Sequence, residues 1–196
     1  MKSFKDYIIV EAEKPKKIVA AFGRMNPPTI GHGVLVKKLI DTAREFKADH
    51  VIYLSKTHDA KKNPLDIKTK LKWAKKMFKG VNILGADDNL QTFIDMVKVL
   101  NTKYKILYLV AGSDRVAEYQ KLLNKYNGIE YNYTEIVVVS AGERDPDADG
   151  AGGMSATKMR EAAARGDVNS FKSGLPQHMH KDAMKIMTDV RTGMKL

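Results

Sequence analysis

The stretch that decides the fold reads KIVAAFGRMNPPTIGHGVLVKKL, residues 17–39. Its opening run, 17–22, is apolar and bounded by lysine and glycine, the pattern of a short buried strand. Over 34–46 apolar side chains recur at Leu35, Val36, Leu39, Ile40, Ala43 and Phe46, a stripe at helical spacing. Between strand and helix lies a connection, 23–32, longer than the roughly 2–6 residues such a joint needs. Gly23 and Gly31 let backbone approach a ligand closely, and Pro27 and Pro28 stiffen the loop without adding N–H groups. Thr29 supplies a hydroxyl. His32 supplies an imidazole in the first turn of the helix, where unpaired N–H groups and the dipole favour phosphate. The same ten letters also describe a rigid turn whose histidine caps or packs locally, and this motif alone does not separate the two readings.

Outward from this joint the pattern repeats. Strand-like runs occupy 50–55, 81–84, 105–111 and 134–140. Helical stripes occupy 66–78 and 90–100, and a further helix carries Val116, Tyr119, Leu122 and Leu123. Most of the strands are wholly apolar, which implies burial on both faces. The fold class expected is α/β: a doubly wound, Rossmann-like sheet of about five parallel strands with helices on both faces and a C-terminal helical extension. The chain reads as one domain, 1–196. It divides into an N-terminal segment at 1–16 with a loosely attached helix, a core at 17–165 and the extension at 166–196, where Pro176 separates two short helices. The segment AGERDPDADGAGGM, 141–154, is too long for a mere connector. Its Asp145, Asp147 and Asp149 alternate with proline, alanine and glycine and read as a flexible acidic loop rather than a metal cluster.

Composition narrows the chemistry. With 196 residues and 43% hydrophobic content, a sizeable core is available. The absence of cysteine excludes disulfides, thiolate nucleophiles and zinc knuckles. No apolar run reaches the ~20 residues of a membrane span and no signal peptide is visible, so the expectation is a cytoplasmic protein without a membrane partner. The net charge of +11 favours anionic partners, with lysines densest over 56–80, so nucleic-acid contact through a basic surface is one expectation.

A second motif, GGMSATKMREAA at 152–163, opens a late helix. Ser155 suits the N-cap, Thr157 the first turn, and Arg160 can reach back over the helix start. Two hydroxyls, backbone donors and a guanidinium then converge on one anion. An ordinary capped helix with a surface arginine would look the same.

Together, G-R-M-N-P-P-T-I-G-H and M-S-A-T-K-M-R resemble the signature pair of the HIGH-motif, cytidylyltransferase-like nucleotidylyltransferase superfamily. That superfamily pairs a G-x-F-[DN]-P-x-[HT]-x-G-H element after its first strand with an I-S-S-T-x-x-R-like element opening a late helix. Met25, Thr29 and Ala156 depart from the commonest residues. The resemblance implies transfer of a nucleoside monophosphate, AMP from ATP foremost, onto a phosphate-bearing acceptor with release of pyrophosphate, and Mg²⁺ bound with the triphosphate. It implies catalytic roles for His32, Thr29 and Arg160. Nucleotide contacts would come from Phe22, Gly23, Arg24, Met25, Asn26, Gly31, Ser155 and Thr157. No metal-ligating side chains are implied.

Two further stretches bear on the acceptor. LVAGSDRV resembles a G-x-D element of mononucleotide and pantetheine-phosphate adenylyltransferases, which would place Gly112, Asp114 and Arg115 at the acceptor. SKTHDAKKNPL resembles the S-x(n)-N-P-[FL] loop of nicotinamide-mononucleotide adenylyltransferases, which would place Lys61, Lys62 and Asn63 there as well. Nicotinamide mononucleotide, and with it NAD biosynthesis, is the leading acceptor assignment. Pantetheine-phosphate adenylyltransferase and cytidylyltransferase activities remain alternatives, as does a non-catalytic nucleic-acid-binding protein on the same fold. The basic, methionine-bearing C-terminal helix has two uses open to it: packing on the core, or a contact in a homo-oligomer.

Overall fold

The computed structural model describes residues 14–142 and 154–196. The expected helix before residue 14 and the aspartates of 143–153 lie outside the described residues. Five parallel strands form one sheet in the order β3-β2-β1-β4-β5: β1 (Lys17–Gly23), β2 (Asp49–Leu54), β3 (Ile83–Gly85), β4 (Ile106–Ala111) and β5 (Glu135–Ser140). The expected α/β class holds. Alternation along β1 splits the core in two. Ile18 and Ala20 face a cluster that α3 (Phe93–Asn101) and α4 (Val116–Tyr126) close with Met96, Val97, Leu100 and Leu123. Val19 and Ala21 face the opposite cluster, closed by α1 (His32–Phe46) and α2 (Ile67–Met77) with Val36, Leu39 and Ala74. Both faces of the sheet are thus covered, as the apolar strands require.

Boundaries moved where local hydrogen bonding intervened. Gly80 turns the chain with φ at +80°, and the Val81 N–H bonds back to the Phe78 carbonyl, so β3 begins at Ile83 rather than at 81. α3 begins at Phe93 rather than at 90 because Thr92 and Asp95 form a reciprocal capping box. Leu90 still packs in the core from the preceding turn.

The C-terminal part comprises α5 (Ala156–Arg165), α6 (Val168–Ser173), a 3₁₀ segment at Gln177–Asp182 that Pro176 precedes, and α7 (Ala183–Met194). These elements pack on the outer flank of α2 through a third cluster that includes Leu65, Trp73, Met77, Phe171, Ile186 and Val190. Polar contacts fix that packing: the Trp73 indole N–H donates to Asp189 at 2.7 Å, and Lys76 meets Asp182 at 2.8 Å. Among the described residues, no helix is long and apolar enough to cross a membrane.

The tightest joint is at Gly193 of α7. A Cβ built there would lie 1.9 Å from the Pro64 carbonyl oxygen, in backbone that cannot rotate away. Gly193→Ala is therefore expected to destabilise the protein by about 1–3 kcal/mol or more through overpacking. Gly33→Ala in α1 meets nothing closer than 4.0 Å and should be neutral or stabilising by up to about 1 kcal/mol. Denaturant unfolding of both variants checks the pair, and equal effects would show that α7 does not dock tightly on Pro64.

Candidate functional site

In the order β3-β2-β1-β4-β5 the chain reverses direction across the sheet at the carboxyl ends of β1 and β4, where open α/β sheets bind ligands. The 23–32 loop leaves β1 at that point. Met25 occupies the left-handed region with φ at +42°, uncommon for a residue with a side chain, and is held there with its side chain buried to 3% exposure. Asn26 is also buried. Its amide donates to the Leu65 carbonyl at 2.9 Å and its amide oxygen accepts from the Leu65 N–H at 2.9 Å. Its own carbonyl accepts from Arg160 Nη1 at 2.8 Å. Farther along, the Ile30 N–H donates to the Gly174 carbonyl at 2.9 Å. The loop is thus tied to the segment before α2, to α5 and to the end of α6.

Within the loop, the Thr29 N–H donates to His32 Nδ1 at 3.0 Å. A backbone N–H can only donate, so Nδ1 is the acceptor and the ring proton sits on Nε2. The Thr29 hydroxyl stands 2.9 Å from the same Nδ1 and 3.4 Å from the Met154 carbonyl, and Thr29 is 1% exposed. Thr29 therefore orients the imidazole from behind. The start of α1 is less open than the sequence suggests, because the His32 and Gly33 N–H groups bond to the Thr29 and Ile30 carbonyls. Gly23, at the end of β1, accepts from the Ser55 N–H, and a Cβ built on it meets nothing within 4 Å. Phe22, half-buried, packs toward the α3–α4 face.

The second motif folds as a capped helix and also reaches the first. Ser155 accepts from the Lys158 N–H at 3.2 Å as the N-cap of α5. Thr157 Oγ1 accepts from Arg160 Nη2 at 3.0 Å, while Nη1 of the same guanidinium bonds to Asn26. Burial, and after it the Arg24 guanidinium, lowers the pKa of Arg160.

The lysines of α2 are exposed with one exception. Lys70 points inward with 0% exposure, its ammonium bonded to the Ser55 and Thr57 carbonyls at the end of β2. Burial lowers its pKa to about 8, with Arg24 adding to the lowering and Asp66 opposing it. Arg24 is coupled to both Lys70 and Arg160, so three cations gather around the end of β1. The signal for Lys70 was present: it lies three residues after Ile67 and four before Ala74, on the apolar stripe of its helix.

The acceptor residues expected from sequence fall in two places. Asp59 closes its own loop: it accepts from the Lys61 and Lys62 N–H groups and from the Asn63 amide at 2.5 Å, and its backbone pairs with that of Asn63. The Lys62 N–H foremost, then the Asn63 amide, holds the Asp59 carboxyl down at about 2. Asn63 is buried, with Oδ1 lacking a partner among the described residues, whereas Lys61 and Lys62 are exposed. Asp59 acts on Arg160, which sets this loop beside the cation cluster. Gly112 follows β4, next to β1 in the sheet, and leads into a 3₁₀ turn at Ser113–Arg115. There Arg115 is exposed and pairs within its own segment, with Asp114 at 3.4 Å and Glu118 at 3.3 Å. Among the described residues, no group of three or more His, Cys, Asp or Glu side chains could hold a metal ion.

No family model matches the chain, and no curated protein matches it. The solved structures that align with the chain include two at low identity. The crystal structure of Thermotoga maritima TmcAL bound with alpha-thio ATP aligns at 15% identity and a TM-score of 0.49, over 88% of this chain and 55% of that one. The macrolide-efflux protein from Streptococcus pneumoniae aligns at 19% identity and a TM-score of 0.47, over 82% and 55%. The chain spans about 55% of the length of both.

Two outcomes are expected from this geometry. Long-range ¹H–¹⁵N NMR should find His32 Nδ1 unprotonated and Nε2 protonated in the neutral ring, and the reverse tautomer would overturn the Thr29 contact. For Lys70, the unfolded chain keeps a pKa near 10.5 while the folded value is about 8. The unfolded chain then binds more protons between those values, so stability should rise with pH from about 8 to 10.5, by up to about 3 kcal/mol. Denaturant unfolding of wild type against Lys70→Met across that range isolates the effect, and parallel curves would refute a buried ammonium.

Proposed function

We propose that the protein is a nucleotidylyltransferase that moves AMP from ATP onto a phosphorylated small molecule, with nicotinamide mononucleotide as the leading acceptor. One observation carries this reading: Arg160 is held by the Asn26 carbonyl of the same loop whose Thr29 fixes the His32 ring, and Arg24 lies near enough to act on both Arg160 and Lys70, so positive charge gathers at the end of β1. In the reaction, an acceptor phosphate oxygen attacks the α-phosphorus, the new P–O bond forms, and the bond to the β-phosphate oxygen breaks to release pyrophosphate. The protein supplies no covalent nucleophile. Its share is in-line positioning and neutralisation of charge on the phosphates.

In this reading the Nε2–H of His32 donates to a phosphate oxygen, with Thr29 fixing the donor's tautomer. Arg160, braced by Asn26 and Thr157, and Arg24 face the triphosphate, while Lys70 adds a positive charge from beneath. Gly23 leaves room for the nucleotide to approach β1. In this reading a Mg²⁺ ion would be held by the phosphates and water, where it would offset their charge. The Asp59–Asn63 loop, beside Arg160, is the nearest candidate to meet the acceptor.

The test is pyrophosphate release over ATP and CTP against nicotinamide mononucleotide, phosphopantetheine, FMN and phosphocholine. ATP with nicotinamide mononucleotide should turn over, and His32→Ala should lower kcat about 100-fold or more. Turnover with none of these pairs would sink the enzymatic reading. Full activity in His32→Ala would sink the site assignment and leave the fold untouched.

A further inference from the structure

A second concentration of charge lies outside the site. Lys68, Lys72 and Lys75 fall at i, i+4 and i+7 along the solvent face of α2, and Lys79 follows just past its end. The three helical positions span about 10 Å, on a rise of about 1.5 Å per residue. All four side chains are exposed. Carboxylates neutralise only the inner flank: Asp189 lies 3.9 Å from Lys72, and Asp182 pairs with Lys76. Asp182 is itself faced by Lys181 and Lys185, so the positive surface continues onto the 3₁₀ segment and α7. Among the described residues, no carboxylate pairs with Lys68, Lys75 or Lys79.

We propose that this lysine row is a docking track for a nucleic-acid backbone, independent of nucleotidyl transfer. A membrane surface fits less well. Interfacial helices insert an apolar face, and here that face is spent: Trp73 is 1% and Met77 4% exposed, packed against the C-terminal helices. A protein partner fits less well too, because stable interfaces are built on aromatic, methionine and arginine anchors and are depleted in lysine. A row of flexible point charges without exposed aromatics matches repeating phosphates read without regard to base sequence. The net charge of +11 adds long-range attraction of the same sign.

The experiment is fluorescence-anisotropy binding of a 20-nucleotide mixed-sequence single-stranded DNA to the full chain. With about five phosphates neutralised, the slope of log K against log salt should be near −3.5, a loss of about 100-fold between 50 and 200 mM salt. The triple reversal K68E/K75E/K79E should weaken binding at least 10-fold and flatten the slope. K68Q/K75Q/K79Q should do the same to a smaller extent, through loss of charge rather than new repulsion. The matched reversal K105E/K121E/K125E changes net charge equally, at the start of β4 and on the α4 side of the sheet, and should stay within about 3-fold of wild type. Equal weakening by the two reversals would overturn the track. So would no binding at 50 mM salt, or tighter binding to phosphatidylserine vesicles or polyglutamate at equal charge.

Discussion

The structure turns on the buried side chain of Asn26. An amide removed from water must find partners for both its ends or cost a few kcal/mol, and this one satisfies them on the two backbone groups of Leu65. That pairing draws the segment before α2 against the loop after β1. Leu65 in turn belongs to the cluster formed with α5, α6 and α7, and Pro64 beside it sets the closest approach of α7. The Asn26 carbonyl then receives Arg160. A single residue therefore links the first strand's loop, the entry to α2 and the late helix. The C-terminal extension is part of what shapes the site, not an appendage to it.

How much of this could be read from sequence depends on how local the cause is. The strands were legible because wholly apolar runs between charged or glycine-bearing borders have few other uses. Ser155 was legible as a cap because capping is decided within one turn. β3 and α3 were misplaced by two or three residues because Gly80 and the Thr92–Asp95 box decide those ends, and neither disturbs the apolar pattern. The roles of Asn26 and Lys70 were harder. Asn26 looked like a ligand contact in a polar loop, yet its amide is consumed 39 residues away in the chain at Leu65. Lys70 sits among many lysines, and only its register on the apolar stripe separates it from them.

Arg24, Lys70 and Arg160 bring three positive charges to the end of β1. Like charges raise one another's cost, and burial lowers the pKa of Lys70 and of Arg160. The nearby acids offset part of this cost: Asp66 acts on Lys70 more strongly than Arg24 does, and Asp59 and Glu161 favour the charged form of Arg160. Asp59 is engaged by its own loop's N–H groups, and Asp66 caps α2 through the Thr69 N–H at 2.8 Å. Lys70 keeps only carbonyl oxygens as hydrogen-bond partners, which solvate an ammonium without neutralising it. Donors fixed in advance around a shielded position stabilise incoming negative charge without having to reorganise.

The two positive regions also differ in how they answer to salt, and the difference follows from burial. At about 0.1 M salt the screening length is near 10 Å, and exposed charges beyond it hardly act on one another. The lysine row on α2 lies wholly in that regime, with its side chains in water. Lys70 lies at the other extreme, at 0% exposure, and Arg160 is half-buried, while Arg24 is exposed. Raising salt therefore screens the outer surface while acting much less on Lys70 and Arg160. Net charge alone, at +11, would have merged the two into one statement about anionic partners. Their separation into a screened surface and a shielded centre comes from a single turn of α2, where Lys70 points inward and Lys68 and Lys72 point out.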